Sequence, residues 1–298
     1  MSTLHITTVN VNGIRAAVKQ RSETNLGFIP WLEQSGSDVV LLQEVRASEK
    51  ETLKALEPLL DTWHYVGAPA AAKGRAGVGI LSKQPLEDVR IGIEGFEDSG
   101  RYIEGKLGDV TVASLYLPSG AADTEKQDEK YRFLDSFQPY IEQAAEDHPK
   151  MVIGGDWNIC HRPDDLKNDK ANKKKSGFLP DERAFMDAIF GTFPEAHSLV
   201  EGAGQWAGAV EYQGTAREVA TDPKWFDVAR RLAPEHTNFT WWTYRGKAFD
   251  TDAGWRIDYQ AATKTMLERA QRCWVDKAAA YDLRWSDHSP LNVVYDMG

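Results

Sequence analysis

Short apolar runs that break abruptly into polar clusters recur along this chain, and they predict an alternation of strands and helices. Leu4–Asn12 alternates, with Leu4 and Ile6 on one face and Val9 and Val11 on the other. It ends in Asn10-Val11-Asn12-Gly13, with Arg15 just beyond. Leu26, Ile29 and Leu32 predict a helix over Ser22–Gly36, stopped by its glycine. Val39–Leu42 is a continuous apolar run of the buried-strand type and breaks into Gln43-Glu44. Ser48 and Glu51 have capping-box spacing and open a helix with Leu53, Leu56, Leu59 and Leu60 as its stripe. Gly77–Ser82 and Val110–Leu117 predict two further strands, the second passing through Tyr116. A helix over Asp123–Asp147 carries Tyr131, Leu134, Phe137 and Ile141 at helical spacing.

The most informative stretch is Met151–His161, MVIGGDWNICH: an apolar run ended by glycines, delivering Asp156, Asn158 and His161 within six positions. An Asx turn alone would account for the Asp and Asn. Four other strand-like runs end in the same kind of cluster, which turns the reading toward a site. Past a lysine-rich segment, Gly177-Phe178-Leu179-Pro180 leads into a helix with Phe185, Ile189 and Phe190 inward. Ser198–Lys224 shows no period and reads as a long loop or insertion. Asp222-Pro223 predicts the cap and first position of a helix to about Leu232. Phe239–Tyr244, Trp255–Thr263 and Leu291–Tyr295 predict the last strands, the final one following Ser286-Asp287-His288-Ser289. Strands and helices interleave throughout, so one α/β domain over residues 1–298 is expected, with an insertion at 198–224.

Composition narrows this picture. A chain of 298 residues at 42% hydrophobic content can fill a sizeable core. The balance of 35 basic against 45 acidic residues gives −10, which argues against a nonspecific nucleic-acid coat but leaves room for a local basic groove. Lys167–Lys175 is the most basic segment, with five lysines against one aspartate. Only Cys160 and Cys273 occur, too few for a disulfide framework, which suits a reducing compartment. No apolar run approaches the roughly 18 residues of a membrane span, and the N-terminus lacks a signal-peptide pattern. A cytoplasmic protein is expected, nucleoid-associated if bacterial, with no membrane partner.

The polar residues at predicted strand boundaries are Asn10, Asn12, Glu44, Tyr116, Asp156, Asn158, Asp258, Asp287 and His288. Hard oxygen ligands without cysteine or paired histidines suit Mg²⁺, with Mn²⁺ as a substitute, and argue against zinc. A histidine beside an aspartate is what a base or proton shuttle requires. Together they fit phosphoryl transfer, in which positioning and charge neutralisation do most of the work. The alternative is a set of structural turns at strand ends.

Seven motifs carry a resemblance: Asn10-x-Asn12-Gly13-x-Arg15, Gln43-Glu44, Tyr116-x-Pro118, Gly155-Asp156-x-Asn158, Gly177-Phe178-x-Pro180-x-Glu182-Arg183, Gly254-Trp255-Arg256-Ile257-Asp258-Tyr259 and Ser286-Asp287-His288-Ser289-Pro290. In this order and approximate spacing the chain resembles the exonuclease III family of abasic-site endonucleases, within the deoxyribonuclease I-like superfamily. The resemblance covers all but Ser198–Lys224. It implies a four-layer α/β sandwich, two packed mixed β-sheets flanked by helices. It implies an Mg²⁺-dependent phosphodiesterase that cuts duplex DNA 5′ to abasic sites, leaving a 3′-hydroxyl. Exonuclease activity from 3′ ends and cleaning of blocked 3′ ends come with it. Glu44 is then the principal metal ligand, with Asn10 and Asp287 near the ion. Asp156 handles a proton, Asn158 and Tyr116 hold the scissile phosphate, and His288 contacts it, oriented by Asp258. Whether Asp156 or His288 is the base stays open. Trp255 and Ile257 would line the pocket for the flipped-out sugar, and Arg15 and Lys173 would grip the DNA backbone. A monomer is expected. The competing readings are another phosphoesterase on the same sandwich, acting on RNA, inositol phosphates or lipid headgroups, and a catalytically silent DNA-binding relative.

Overall fold

The computed structural model describes residues 2–236 and 238–298. In chain order its strands are β1 (Thr3–Asn10), β2 (Val39–Gln43), β3 (His64–Ala68), β4 (Val78–Ser82), β5 (Glu87–Ile91), β6 (Tyr102–Leu107), β7 (Val110–Tyr116), β8 (Met151–Asp156), β9 (Trp225–Asp227), β10 (Asp258–Thr263), β11 (Ala270–Val275) and β12 (Leu291–Asp296). They form two six-stranded sheets, in the orders β11-β12-β1-β2-β4-β3 and β5-β6-β7-β8-β10-β9. Each sheet has one parallel pair at its heart, β1 with β2 and β7 with β8. The flanking pairs are antiparallel. That pattern places the ends of β1, β2, β7 and β8 and the beginnings of β10 and β12 along one edge.

Alternation along each strand builds the layers. Ile6, Leu41, Ile80, Val112, Val152 and Val293 fill the space between the sheets. The opposite face of the first sheet, with Val9, Val40 and Leu42, takes Phe28 and Leu32 of the helix Phe28–Ser35 and Leu56 of the helix Glu49–Leu56. The outer face of the second, with Ala113, Leu115 and Ile153, takes Tyr131, Leu134, Phe137 and Ile141 of Glu125–Asp147 and Phe185 of Pro180–Phe190. This is the four-layer sandwich expected from the sequence.

The differences are local. The helix expected from Ser22 begins only at Phe28, because Gly27 at φ +87° breaks the backbone and leaves Leu26 exposed. The Asp222-Pro223 helix start is wrong. Trp225–Asp227 pairs with β10 as an edge strand, and Asp227 then caps Val228–Leu232. Phe239–Tyr244 is not a strand; only Trp241 bridges, to Trp255 and His288. Regular pairing of the last stretch begins at Asp258, not Trp255. Strands β3, β5, β6 and β11 and the helix Lys264–Arg269 have no sequence counterpart above. Strand β5 is exposed at every position, and its alternation is limited to Val89 and Ile91.

Residues 198–224 have no regular structure before a short bend into β9, yet they are pinned. The Asp128 carboxylate accepts the backbone N–H groups of Val210, Glu211 and Tyr212 at 3.1, 3.3 and 3.0 Å. Trp206 and Tyr212 pack on Tyr131. No helix among the described residues is long and apolar enough to cross a membrane.

Candidate active site

The shared sheet edge gathers the residues singled out above. Asn10 closes β1, Tyr116 closes β7, Asp156 closes β8 and Asp258 opens β10 directly opposite Asp156. Glu44 lies one residue past β2, and His288 three before β12. Asn10 Nδ2 donates to Asp156 Oδ2 at 2.9 Å, so the two sheets are joined at the site itself. Asp156 Oδ1 accepts the Asn158 N–H at 3.0 Å. His288 Nδ1 lies 2.8 Å from Asp258 Oδ2, while its Nε2 faces Asp156 Oδ2 at 3.7 Å. Tyr116 donates its hydroxyl to Glu44 Oε1 at 2.6 Å. Beneath them Gln43 Nε2 donates to Thr8 Oγ1 and Ser114 Oγ, both at 3.0 Å, tying the sheets just inside the edge.

The turns leaving the strands are unusual. Asn12, Glu44, Arg46 and Asn158 all adopt positive φ, between +48° and +53°. Asn tolerates this region; Glu and Arg do not, and such strain persists only where the surroundings over-determine it. Here Val45 N–H donates to Gly77 O and Arg46 N–H to Ala76 O, both at 2.9 Å. The loop carrying Asn158 is held from below. The buried Lys130 ammonium donates to Asn158 O at 2.9 Å and pairs with Glu182 at 2.7 Å. Glu182 Oε2 in turn accepts the N–H groups of Gly177 and Leu179.

Burial is the largest influence on the Asp156 carboxyl and pushes it up to about 7, with the negative charges of Asp258 and Glu44 adding to it and His288 opposing. For His288 burial opposes the charged form, but Asp258 and Asp156 outweigh it and raise the imidazole to about 10. Burial, then Glu44, drives the Tyr116 phenol well above its ordinary value, so it stays a neutral donor.

A pocket of about 310 Å³ opens over these groups. Trp241, Trp255 and Ile257 form its apolar wall, with the two indoles perpendicular at 6.2 Å. On the other side Asp287 accepts from Asn12 Nδ2 at 2.9 Å and Trp241 Nε1 at 3.1 Å. Asn158 is half-buried at the floor and donates to Leu117 O at 2.9 Å. The donor set fits a hard divalent cation. Asp258 Oδ1 is buried with no hydrogen-bond donor, and the buried Glu44 Oε2 meets only the Arg46 guanidinium. Ligand atoms of Asp156, Asp258 and His288 also lie within 4.8 Å of one another.

Some expectations are displaced. Arg15 does not line the pocket; it pairs with Glu51 at 2.7 Å on the surface. Lys173 is exposed and also outside the lining, just before Ser176 and Gly177, which belong to it. His161 points away and meets Asp187 at 2.7 Å in the core. Sequence reasoning missed Trp241, Arg46 and Lys130. Trp241 stands in a Trp-Trp pair, but the apolar run around it predicts only a strand. Arg46 follows Glu44 by two positions, and Lys130 sits on the inner face of an otherwise well-marked helix.

With this geometry in view, known proteins are informative. The exodeoxyribonuclease of Bacillus subtilis is 27% identical over 295 residues, covering 97% of this chain and 98% of that protein. Exodeoxyribonuclease III of Haemophilus influenzae is 28% identical over 303 residues, covering 95% and 96%. The structure of an AP endonuclease from Archaeoglobus fulgidus superposes with a TM-score of 0.77 at 26% identity, covering 99% of this chain and 100% of that one. Residues 7–288 match the Endonuclease/Exonuclease/phosphatase family, and the chain belongs to it.

Proposed function

We propose that this chain is a divalent-metal-dependent DNA-repair phosphodiesterase, hydrolysing the backbone of duplex DNA 5′ to abasic sites and trimming blocked 3′ ends. The observation that carries this reading is the Asp156–His288–Asp258 array at the floor of a pocket walled by Trp241, Trp255 and Ile257. An apolar wall of that kind suits a sugar without its base, whose unstacking costs little. The names of the relatives point the same way: an exodeoxyribonuclease, an exodeoxyribonuclease III and an AP endonuclease.

In this reading His288 is cationic across the neutral range and binds a non-bridging phosphate oxygen, with Asp258 fixing its ring. Asp156 accepts a proton from water as the water oxygen bonds to phosphorus. The P–O3′ bond breaks, the 3′-oxygen leaves, and it takes up a proton to become the 3′-hydroxyl. Tyr116 and Asn158 orient the phosphate. Glu44, Asn10 and Asp287 are the oxygen donors that would hold Mg²⁺ or Mn²⁺. When bound, such an ion neutralises phosphate charge and steadies the departing oxygen. Lys173 and its neighbours would track the DNA backbone. The chain would act as a monomer, with residues 198–224 serving as a structural cover on its helical layer.

The test is a labelled duplex with one tetrahydrofuran abasic analogue, incubated with and without Mg²⁺. The analogue cannot undergo β-elimination, so incision reports hydrolysis. Metal-dependent incision on its 5′ side is the expected outcome. Digestion from ordinary 3′ ends alone would restrict the reading to an exonuclease, and no cleavage of either would overturn it.

A further inference from the structure

We infer that Arg46 is an internal counter-ion to Glu44 that competes with a divalent cation for its carboxylate. The inference rests on the reading of Glu44 as a metal ligand. Among the residues lining the pocket, Arg46 is the single Lys or Arg, and that lining also holds Glu44, Asp156 and Asp287. Its Nη2 pairs with Glu44 Oε2, while its Nη1 donates to Asn12 Oδ1 at 2.7 Å.

Two features make this contact more than a surface ion pair. First, the backbone on both sides of Val45 is held in an unusual conformation. Glu44 and Arg46 both sit at positive φ, +49° and +53°, and their side chains meet. Non-glycine residues rarely adopt that region, and two of them flank Val45 here. Second, Glu44 Oε2 is buried and lacks an aligned hydrogen-bond donor, although Oε1 has one in Tyr116. The guanidinium is thus the charged partner of the one Glu44 oxygen that Tyr116 leaves over, the oxygen a cation would also take. The carboxyl groups of Glu44, Asp156 and Asp287 line one pocket and repel one another. The Arg46 charge offsets part of that repulsion.

Arg46 also has somewhere to go. It lines a second, adjoining pocket of about 550 Å³ that carries Arg75, Arg101 and Lys126. The same lining holds Asp98 and Glu129. Swung toward that side, the Arg46 charge would find carboxylates there and leave Glu44 free. Two positions of one side chain would thus link loading of Glu44 to the charge of the neighbouring pocket.

The test uses the full chain and Mn²⁺ alone, with binding followed by electron paramagnetic resonance and by calorimetry, in the absence of any substrate. R46M should bind Mn²⁺ about tenfold more tightly than the natural protein, since it loses both the competitor and a repelling charge. R46K, which keeps the charge but not the planar fork, should fall between them. K19Q removes an exposed charge that does not touch Glu44, nor Arg46 as Arg15 does, and should move the affinity much less than R46M. Unchanged or weaker Mn²⁺ binding in R46M with an intact melting transition would overturn the inference. So would an equal gain in K19Q, which would reduce the effect to a general field. Because no substrate is present, failure of the nuclease reading would leave this result unaffected. No Mn²⁺ binding by any variant would overturn the inference and the assignment of Glu44 together.

Discussion

At the residue scale the site is defined by what each carboxylate is denied. Asp156 is almost fully buried, shares its oxygens between Asn10 and the Asn158 N–H, and faces a charged imidazole at 3.7 Å. Replacing it with Asn keeps the size but only one of the two acceptor oxygens, and removes the acceptor for a proton. Asp156→Asn should lower kcat by about 10³-fold and should not recover at any Mg²⁺ concentration. Glu44→Ala, by contrast, should raise the Mg²⁺ concentration needed for half-maximal rate. Titration of rate against metal for the two variants separates these roles. The raised Asp156 carboxyl also predicts a pH dependence. As pH falls through about 7 the carboxylate takes up a proton and can no longer accept one, so activity falls on the acid side. A bound cation favours the ionised form, so raising Mg²⁺ should move this acid limb to lower pH. A limb that stays fixed while metal varies would assign it to another group.

At the element scale, the strands present the chemistry but the turns beyond them aim it. The Asn158 and Gly177 turns depend on a buried ion pair between Lys130 and Glu182, both fully enclosed. Lys130→Met would leave the Glu182 charge uncompensated and strip a donor from Asn158 O. It should cost about 3–5 kcal/mol in urea unfolding and should lower kcat as well, because the loop that carries Asn158 loses its anchor. Lys130 was not legible as a site residue in the sequence. It occupies an inward position of the Glu125–Asp147 helix, where a lysine reads as an exception to the apolar stripe. Its purpose depends on a carboxylate 52 positions later, as the pairing of Lys130 with Glu182 shows. The elements themselves were mostly legible where the apolar period was strong. The long helix with Tyr131, Leu134 and Phe137 appeared where expected. Edge strands such as β5, with every side chain in solvent, gave no such pattern.

At the scale of the whole molecule, the site exists because two sheets meet face to face with their working edges aligned. Gly154 shows how closely they meet. A Cβ there would lie 2.5 Å from Leu41 Cδ1 and 3.0 Å from Thr8 Cβ on the opposite sheet. Gly154→Val should therefore destabilise the protein by about 1–3 kcal/mol through overpacking, seen as a lower Tm. It sits two residues before Asp156, so the same substitution should disturb the Asn10–Asp156 bond and reduce turnover beyond what the loss of stability explains.

The sequence by itself determined the kinds of elements with strong periods and the residue types at their ends. Those are set by local backbone preferences and by the apolar pattern, which act over a few positions along the chain. It also held the order of the motifs, from which the sandwich and the family were expected. It did not determine which polar groups meet. Asn10 and Asp156 are 146 positions apart, and their 2.9 Å contact follows from the packing of one sheet on the other. The Trp241 wall, the Lys130 anchor and the pairing of Arg46 with Glu44 were likewise decided only in three dimensions. Each depends on long-range register and on turns held in positive φ from outside, neither of which local propensity specifies.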